Sequence, residues 1–476
     1  MNKTIDVANG NPLPISCIRQ LKKKFPQDNL FTDPADCWTY GYDNSRIHSL
    51  PAAVVFANTH AQVVDLVELC KHYEIPLTTR GRGTGTTGAT VPSQHGIVLS
   101  MERMCNVIDY SPENRYITVE PGIINQTVQD LIGQSGFFWP PDPTSAAFCT
   151  VGGNLAYNSA GPKAVKYGTP RENTLGLTAV TGGGKTIKTG VFTTKGVVGY
   201  DLTRLLIGSE GTLAIITQAT LRITPKPEKK QTLRIAYSTI SSAAHAISQI
   251  MNQPCIPCAL EFMDSNAINI IARYSPLDLP KESAALLMVE IDGNKESIPA
   301  AIESIRNAAN TKGLIEMRVA ESDQEIQDLW KTRKALSPAL RQTAPGKINE
   351  DIVVPVSRLA ELIDQLNQLS KKFKLPIVNF GHAGNGNIHV NILYDPDSEN
   401  EQKRAHQCLE QIFDCVLKLN GTLSGEHGIG LVKRDYIDRE IDADTLQLMR
   451  SIKKQFDPKN ILNPDKMFPT SLIDAN

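Results

Sequence analysis

The first clear pattern of apolar and polar residues begins near Leu50 and predicts short strands separated by one helix and loops. Thr59, with Gln62 three residues later, is typical of a helix start with a capping box, and apolar residues follow at helical spacing. A second helix is predicted from Asn125 to about Gly136. Strands are predicted over 52–56, 77–80, 97–100 and 116–120. This order indicates an α+β domain rather than a regular βα alternation.

The next stretch, 140–225, is rich in Gly, Pro, Ser and Thr but contains enough apolar residues to fold. Strands are predicted there over 177–181, 186–189 and 213–216. Prolines at 225 and 227, followed by a charged run, predict a linker. The first predicted domain therefore covers 1–226.

A strand–helix–strand order then occurs twice, which predicts a ferredoxin-like cap domain over 227–420. The first unit is strand 232–237, helix 241–252 and strand 258–263, and the second is strand 285–291, helix 297–312 and strand 314–319. The remaining segment, 421–476, is too short to fold alone, so we expect it to pack on the first domain.

Composition narrows the class of protein. Of 476 residues, 49 are Lys or Arg and 50 are Asp or Glu, a balance that argues against a dedicated nucleic-acid-binding protein. No apolar run is long enough to span a membrane, and residues 1–6 do not resemble a signal peptide. The nine scattered cysteines favour neither a disulfide framework nor an iron–sulfur cluster. We therefore expect a multidomain enzyme in a reducing compartment.

Two glycine motifs resemble nucleotide-binding sequences but lack the required context. Gly83-x-Gly85-x-x-Gly88 matches the dinucleotide fingerprint, yet Pro92 and no helical pattern follow it. Gly184-Lys185-Thr186 resembles the end of a P-loop, but a strand follows and a hairpin turn explains the glycines. We reject both interpretations. A loop of four glycines flanked by Arg80 and Arg82 still favours a nest of backbone N–H groups for a phosphate over a plain surface loop.

The strongest chemical signal is the sequence from Gly381 to Ile392. From Gly386 it alternates as a strand, with Asn387, His389 and Asn391 on the face opposite three apolar residues. Such a face either lines a site or is a polar surface in contact with water. His382 precedes this strand among glycines, and two histidines with a carboxylate are ligands that suit a divalent metal.

Glu426 and His427 form a second cluster between glycines. Neighbours in an extended segment face opposite sides, so Glu426 could bind a metal while His427 faces a substrate. An imidazole can accept a proton near neutral pH, which makes His427 a candidate general base. The alternative is that both histidine clusters are unrelated polar turns; two clusters framed by glycines argue against it.

Arg333 and Ser337 are four residues apart on a predicted helix and are expected on one face. Arg333 could bind a carboxylate with two hydrogen bonds. Taken alone, an arginine on a helix is more often a solvated surface charge.

These motifs resemble those of the FAD-dependent D-2-hydroxyacid dehydrogenases of the vanillyl-alcohol-oxidase, or p-cresol methylhydroxylase (PCMH)-type, flavoprotein superfamily. That group includes the cytochrome-linked D-lactate dehydrogenases, the D-2-hydroxyglutarate dehydrogenases and the glycolate oxidase D subunit. The resemblance covers about 45–469. It rests on the two histidine clusters and on Arg80–Gly88, Pro140–Pro143, Thr150–Asn154 and Gly208–Leu213.

The resemblance implies a PCMH-type FAD-binding domain of two α+β subdomains and assigns roles to individual residues. Residues implied to contact non-covalent FAD are Arg80, Gly81, Arg82, Gly83, Thr84, Gly85, Thr86, Pro141, Asp142, Ser145, Gly152, Gly153, Asn154, Asn158, Gly161, Glu210, Gly211 and Ile216. His382, His389 and Glu426 would hold a divalent metal, expected to be zinc. His427 would be the base, and the substrate-binding residues would be Arg333, Ser337, Lys347 and Asn391.

The chain departs from the family pattern at two positions. Asn385 replaces the usual Asp, which removes a charge near His382, and Ser337 replaces a frequent Thr.

The implied activity is oxidation of a D-2-hydroxy acid, of the D-lactate or D-2-hydroxyglutarate type, to the 2-oxo acid. The hydride would pass to the flavin and the electrons to a cytochrome, a quinone or an electron-transferring flavoprotein rather than oxygen. We expect a cytoplasmic protein, with any membrane association peripheral; a homodimer is left open.

Four alternatives remain at this point. The chain could act within a complex, as a component similar to the glycolate oxidase D subunit, or perform another flavin chemistry such as that of alkyl-dihydroxyacetone-phosphate synthase. A metal-dependent hydrolase built on His382, His389 and Glu426 would need no flavin. A subunit without catalytic activity is disfavoured by the Glu426-His427 pair.

Overall fold

The structure is a computed structural model that describes residues 12–93, 95–273 and 279–473. The expectation about a signal peptide falls on residues 1–6, which lie outside these ranges. Within them, no helix combines the length and the apolar character needed to cross a membrane.

The first half of the chain is built from short elements. Its helices are α1 Ile15–Lys24, α2 Pro34–Trp38, α3 His60–Tyr73, α4 Asn125–Gly133, α5 Val151–Tyr157, α6 Ala164–Tyr167 and α7 Leu202–Leu206. Its strands are β1 Leu30–Phe31, β2 Ala53–Phe56, β3 Leu77–Arg80, β4 Ile97–Ser100, β5 Val107–Ser111, β6 Tyr116–Val119, β7 Phe137–Phe138, β8 Thr174–Thr181, β9 Thr186–Gly190, β10 Ala214–Arg222 and β11 Thr224–Pro225.

Elements in the second half are longer. The helices are α8 Ile240–Met251, α9 Ser265–Ile271, α10 Ile298–Ala309, α11 Asp323–Lys334, α12 Leu336–Thr343, α13 Leu359–Phe373, α14 Glu399–Lys418, α15 Ala443–Phe456 and α16 Thr470–Ile473. The strands are β12 Lys229–Tyr237, β13 Ala259–Asp264, β14 Ala285–Gly293, β15 Leu314–Val319, β16 Gly346–Val353, β17 Ile377–His382 and β18 Asn387–Tyr394.

The chain divides into two compact units. The first contains the described residues up to Ala160, then Gly168–Lys226 and the residues from Glu426 onward, and the second contains Gly161–Tyr167 and Pro227–Gly425. The return to the first unit thus begins at Glu426, whereas the boundary predicted from sequence is 421. The reason is strand pairing, because the backbones of Thr422 and Val353 exchange hydrogen bonds at the end of β16.

The first unit contains two main sheets. In the four-stranded sheet, β2 and β3 run parallel to β4 and β1 is antiparallel, in the order β1-β2-β4-β3. The five-stranded sheet is antiparallel, in the order β5-β6-β10-β8-β9. The apolar cluster beside the four-stranded sheet also includes Val180 and Ile215 of the five-stranded sheet, and a second cluster packs against the rest of that sheet. This is the α+β architecture that the sequence predicts.

The end of the chain is fixed to the first unit by a buried ion pair. Lys453 Nζ lies 2.5 Å from Asp457 Oδ2 and donates to the carbonyls of Thr212 and Leu462, both at 2.7 Å. Asp457 accepts from the backbone N–H groups of Ile461 and Leu462. Because every polar atom of this pair has a partner, the pair can be buried at modest cost.

The second unit is built on a seven-stranded antiparallel sheet with the order β15-β12-β14-β13-β17-β18-β16. If β12, β13, β14 and β15 are numbered 1 to 4, the first four strands of this sheet have the ferredoxin-like order 4-1-3-2. This order confirms the predicted cap fold. The sheet continues beyond this core through β17, β18 and β16, of which only β18 was predicted. These added strands carry both histidines of the first cluster.

Candidate active site

The glycine loop follows β3, and its shape is set by two large side chains. Gly83 has φ +63°, and a Cβ there would lie 2.3 Å from Nη2 of Arg80. A Cβ at Gly85 would lie 2.5 Å from the Tyr157 hydroxyl oxygen. A side chain at either position would therefore force Arg80 or Tyr157 to move. No helix is present over residues 81–93, so the Rossmann interpretation fails in the structure as well.

Two arginines flank this loop, and both bind protein groups. Arg80 is buried and its Nη1 donates to the carbonyl of Tyr42 at 2.5 Å. Arg82 pairs with Glu102 at 3.1 Å and remains half exposed. The backbone N–H groups of the loop are further donors that could hold an anion.

Two residues in the segment between α2 and β2, which sequence reasoning missed, contact the loop. Asp43 is buried and accepts from the backbone N–H groups of Ser45 and Gly88. Burial raises the pKa of Asp43, although these hydrogen bonds oppose the shift. Asn44 donates from its backbone to Gly85 and from its side chain to Thr84.

A cleft opens beside this loop in the first unit. Seven of the predicted cofactor residues line it: Arg80, Gly81, Gly152, Gly153, Glu210, Gly211 and Ile216. The wall also contains residues that were not predicted, namely Thr79, Ala89, Thr90, Met101, Pro121, Thr150, Ala156, Tyr157, Leu206, Ser209, Ala214 and Ile215. A largely apolar lining with a few polar groups is typical of sites for organic ligands.

One wall of the cleft is the start of α5, where glycines permit close packing. Thr150 caps the helix by accepting from the N–H of Gly153. Gly152 donates its N–H to the carbonyl of Pro121, and a Cβ on Gly152 would lie 2.6 Å from Pro121 Cβ. The two glycines therefore leave backbone, rather than side chains, beside the cleft.

Other predicted cofactor residues have structural contacts instead. Asn154 is buried and bonds to Asn125 and Cys149, and Asn158 ends α5 with φ 59° and accepts from Thr169. Gly161 belongs to the second unit. The remaining ones lie in the glycine loop (Gly83, Thr84, Gly85, Thr86) or in the segment between β7 and α5 (Pro141, Asp142, Ser145).

Glu210 connects the cleft to the end of the chain. It is buried, with φ 53°, and its carboxylate accepts from the backbone N–H groups of Ile429 at 2.5 Å and Gly430 at 2.8 Å. Burial raises its pKa to about 7, although these two hydrogen bonds favour the charged form. The Asn463 side chain also donates to the carbonyls of Glu210 and Ala89.

The predicted base, His427, is anchored to the glycine loop through its backbone. Its carbonyl accepts from Thr87 Oγ1 at 3.1 Å, and the carbonyl of Glu426 accepts from Ser159 Oγ at 3.3 Å. Gly428 follows with φ +80°, and a Cβ there would lie 2.5 Å from Glu210 Oε1. The segment around His427 is therefore held at two backbone carbonyls.

A second group of predicted residues lies on one face of the seven-stranded sheet, because strand register aligns them. Directly opposed residues of antiparallel strands share a face. The opposed pairs are Glu261 with His382, Phe380 with His389, Asp351 with His389, and Asn349 with Asn391. Lys347 lies on the same face of β16 as Asp351.

The two histidines meet on this face. Their ring centroids are 5.2 Å apart with the rings at 85°, and a ligand nitrogen of one lies within 4.8 Å of a ligand nitrogen of the other. Two imidazoles at this separation fit a divalent metal that accepts nitrogen ligands. The third predicted ligand, Glu426, follows Gly425 directly in the chain, and Gly425 N donates to Asp351 beside His389.

Arg333 is buried on α11, not solvated at the surface. Its Nη2 lies 2.7 Å from Glu261 Oε2, and its guanidinium stacks 4.7 Å from the centre of the Phe380 ring. Ser337 is exposed and lies on α12, which begins at Leu336 after α11 ends at Lys334, so the single helix expected to carry both residues is divided.

The remaining predicted substrate residues differ in what their side chains can offer. Asn391 is fully buried and donates to the carbonyls of Val378 and His389, while its Oδ1 has no hydrogen-bond partner within the described part of the chain. Lys347 is half buried on β16. Glu261, which contacts both His382 and Arg333, was missed by sequence reasoning.

Comparison with known proteins gives two family matches. Residues 51–190 match the FAD binding domain model, and residues 226–467 match the model for FAD linked oxidases, C-terminal domain.

Individual relatives span nearly the whole chain. Glycolate oxidase subunit GlcD of Bacillus subtilis is 36% identical, over 93% of this chain and 94% of that protein. A mitochondrial D-lactate dehydrogenase [cytochrome] of Arabidopsis thaliana is 32% identical, over 96% of this chain and 81% of that protein. The solved structure of p-cresol methylhydroxylase is similar in fold, with TM-score 0.77 and 17% identity, over 98% of each chain. The chain therefore belongs to the family of FAD-linked oxidases, with a PCMH-type fold and FAD as its cofactor.

Proposed function

We propose that this chain is an FAD-dependent dehydrogenase that oxidises a D-2-hydroxy acid, of the D-lactate or D-2-hydroxyglutarate type, to the 2-oxo acid. The observation that carries the proposal is the buried Arg333 on the same sheet face as the His382–His389 pair. The arginine supplies a cation that can bind a carboxylate, and the two imidazoles can hold a metal ion. Together these groups suit a small acid that carries a hydroxyl next to its carboxylate. The D-lactate dehydrogenase similarity supports the same substrate class.

Arg333 binds the substrate carboxylate in this proposal. Its Nη2 is engaged by Glu261, and its Nε has no hydrogen-bond partner among the described residues, so donors remain for a ligand. Asn391 Oδ1 can accept the substrate hydroxyl, and Lys347 can add a second cation. Ser337, which is exposed, would have the smallest part.

His382, His389 and Glu426 are the proposed ligands of a divalent metal, zinc. Support comes from the separation of the two imidazoles and from the tether of Gly425 to Asp351. A zinc ion held there would act as a Lewis acid toward the substrate oxygen.

His427 is the proposed general base for the hydroxyl proton. Its carbonyl is held by Thr87 Oγ1 and Gly428 follows it, so the backbone of the segment is fixed, and an imidazole carried there can accept a proton. Arg333 would orient the acid by its carboxylate, because a bidentate contact fixes direction as well as position.

FAD occupies the cleft of the first unit non-covalently in this proposal. Backbone N–H groups of the glycine loop would hold its pyrophosphate, and Gly152, Gly153 and Gly211 would allow close approach of the ring system. The bound flavin supplies the two-electron acceptor for the oxidation.

The electrons would then pass to a cytochrome, a quinone or an electron-transferring flavoprotein. All nine cysteines are free, which supports a reducing compartment such as the cytoplasm, with any membrane contact peripheral.

A second candidate function is that of a component similar to the glycolate oxidase D subunit, acting within a complex. The observation that favours it is the 36% identity to a protein named as a subunit of glycolate oxidase. In that case the isolated chain would reduce its flavin with glycolate but would need further subunits for full turnover.

A dye-linked assay tests the proposal. Purified FAD-loaded protein is mixed with D-lactate, L-lactate, D-2-hydroxyglutarate or glycolate, with either an artificial dye or oxygen as acceptor. We expect reduction of the dye with a D-2-hydroxy acid and little consumption of oxygen. Reduction of the flavin by glycolate alone would favour the second candidate, and a flavin that none of the four acids reduces would contradict both.

A further inference from the structure

Glu261 is a buried carboxylate on β13, in the middle of the seven-stranded sheet. Its side chain is 1% exposed, and its register partner on β17 is His382. A carboxylate in such a position is strongly destabilising unless its oxygens are paired. Both oxygens of Glu261 are paired, and each has a different partner.

The first partner is His382. Nδ1 of that ring lies 2.5 Å from Glu261 Oε1, so the proton is on Nδ1 and the lone pair is on Nε2. A histidine that binds a metal through one nitrogen commonly donates from the other to a carboxylate, which fixes its tautomer and ring orientation.

The second partner is Arg333, whose Nη2 lies 2.7 Å from Glu261 Oε2. The Phe380 ring stacks on the same guanidinium at 4.7 Å. These contacts fix the plane of the guanidinium, and its Nε makes no hydrogen bond to any described residue. The arginine is thus restrained while still having donors to offer.

We propose that Glu261 is a positioning residue that aligns His382 for the metal and Arg333 for the substrate carboxylate at the same time. This inference rests on the proposed function, because Glu261 would support both the metal site and the substrate-carboxylate site of that function. It predicts that metal affinity and substrate affinity depend on one buried carboxylate that touches neither ligand.

The main test compares Glu261→Gln with Glu316→Gln in the FAD-loaded full chain. Glu316 is a matched control, because it pairs with Arg234 at the same 2.7 Å but on β15, at an edge of the same sheet. Each protein is stripped of metal and titrated with Zn²⁺ against a chromophoric chelator, and then with Co²⁺ to record its visible spectrum. We expect Glu261→Gln to weaken Zn²⁺ binding about 10–100-fold and to alter the Co²⁺ spectrum, with little change in the control.

Steady-state kinetics supply the second readout. Glu261→Gln should raise KM for the hydroxy acid about tenfold or more while the flavin content stays that of the wild type, because a looser Arg333 binds the carboxylate less well. If Glu261→Gln does not fold, Glu261→Asp keeps the charge but withdraws the carboxylate by one methylene. We then expect the loss of Zn²⁺ affinity and the rise in KM in that variant.

Unchanged Zn²⁺ affinity and KM in a folded Glu261 variant would overturn the inference. So would the absence of any Zn²⁺ or Co²⁺ binding by the wild type. Failure of the proposed function is distinct from both outcomes: a wild type that binds Zn²⁺ but oxidises no hydroxy acid would refute the activity, and the metal titration would still decide the role of Glu261 toward His382.

Discussion

His382 and His389 lie on neighbouring antiparallel strands with their ring centroids 5.2 Å apart. The turn between them is closed by Gly386, which has φ +74° and would place a Cβ 1.9 Å from the carbonyl oxygen of Val354. No other residue type fits there without moving the backbone. The imidazole pair is therefore a consequence of one tight hairpin.

Replacing His427 by Ala should lower turnover about 10²–10⁴-fold, because a general base contributes about that factor. FAD should remain bound, since Thr87 holds this segment through the His427 carbonyl, which the substitution keeps. The measurements are dye-linked activity and flavin absorbance. His406→Ala, at an exposed position on α14, is the control and should keep full activity. Turnover at the wild-type rate in His427→Ala would refute the base assignment.

Gly152→Ala should impair cofactor binding, because the new Cβ would lie 2.6 Å from Pro121 Cβ and push α5 away from the cleft. Overpacking of this kind costs about 1–3 kcal/mol. Flavin content after gel filtration and the FAD dissociation constant measure the effect. Gly183→Ala should bind FAD normally, since its Cβ would meet only Thr181 Oγ1 at 3.6 Å. Equal FAD affinity in both variants would contradict the packing argument.

Lys453→Met should lower the free energy of unfolding by about 3–5 kcal/mol, because it leaves Asp457 buried without its cation. Burial lowers the pKa of Lys453, although Asp457 opposes that shift. Urea unfolding followed by tryptophan fluorescence measures the loss. Lys454→Met, at the exposed neighbouring position, should change stability by less than about 0.5 kcal/mol. Similar stabilities for the two variants would show that the ion pair does not fix the end of the chain.

Stability should depend on pH through Glu210, whose pKa in the folded protein is about 7 against an ordinary value of 4.5. A raised folded-state pKa adds stability below the unfolded pKa, and that contribution is lost as pH rises through the folded value. The unfolding free energy of the wild type minus that of Glu210→Gln should therefore fall by about 3 kcal/mol between pH 4.5 and 7. Glu303→Gln, at an exposed position on α10, should give a difference that does not vary with pH. A Glu210 difference that is equally flat would contradict burial as the cause.

Strongly patterned elements could be predicted from sequence with their observed bounds. Examples are the strands over 77–80, 97–100 and 314–319. Each is a short strand-forming run with turn-forming residues before and after it. Helix α5 was not predicted, since Gly152 and Gly153 lower its intrinsic propensity; the Thr150 cap and contact with Pro121 stabilise it instead.

Long-range pairing limited what could be predicted of the site. Both histidine clusters were identifiable by their glycines, but Glu261 lies within a run that looks like an ordinary strand, 121 residues before His382. A charged residue between buried apolar neighbours was the available signal. The division between α11 and α12 was not predicted, because no Gly or Pro precedes Ala335 and Ala335 itself keeps helical backbone angles.

Anaerobic spectroscopy of the flavin tests the central claim most directly. Purified protein is mixed without oxygen with D-lactate, L-lactate, D-2-hydroxyglutarate or glycolate, and the visible flavin band is recorded before and after metal chelation. We predict that a D-2-hydroxy acid bleaches the band, that L-lactate does not, and that chelation abolishes the bleaching until Zn²⁺ is restored. A flavin band that stays oxidised with every D-2-hydroxy acid would contradict the proposed activity.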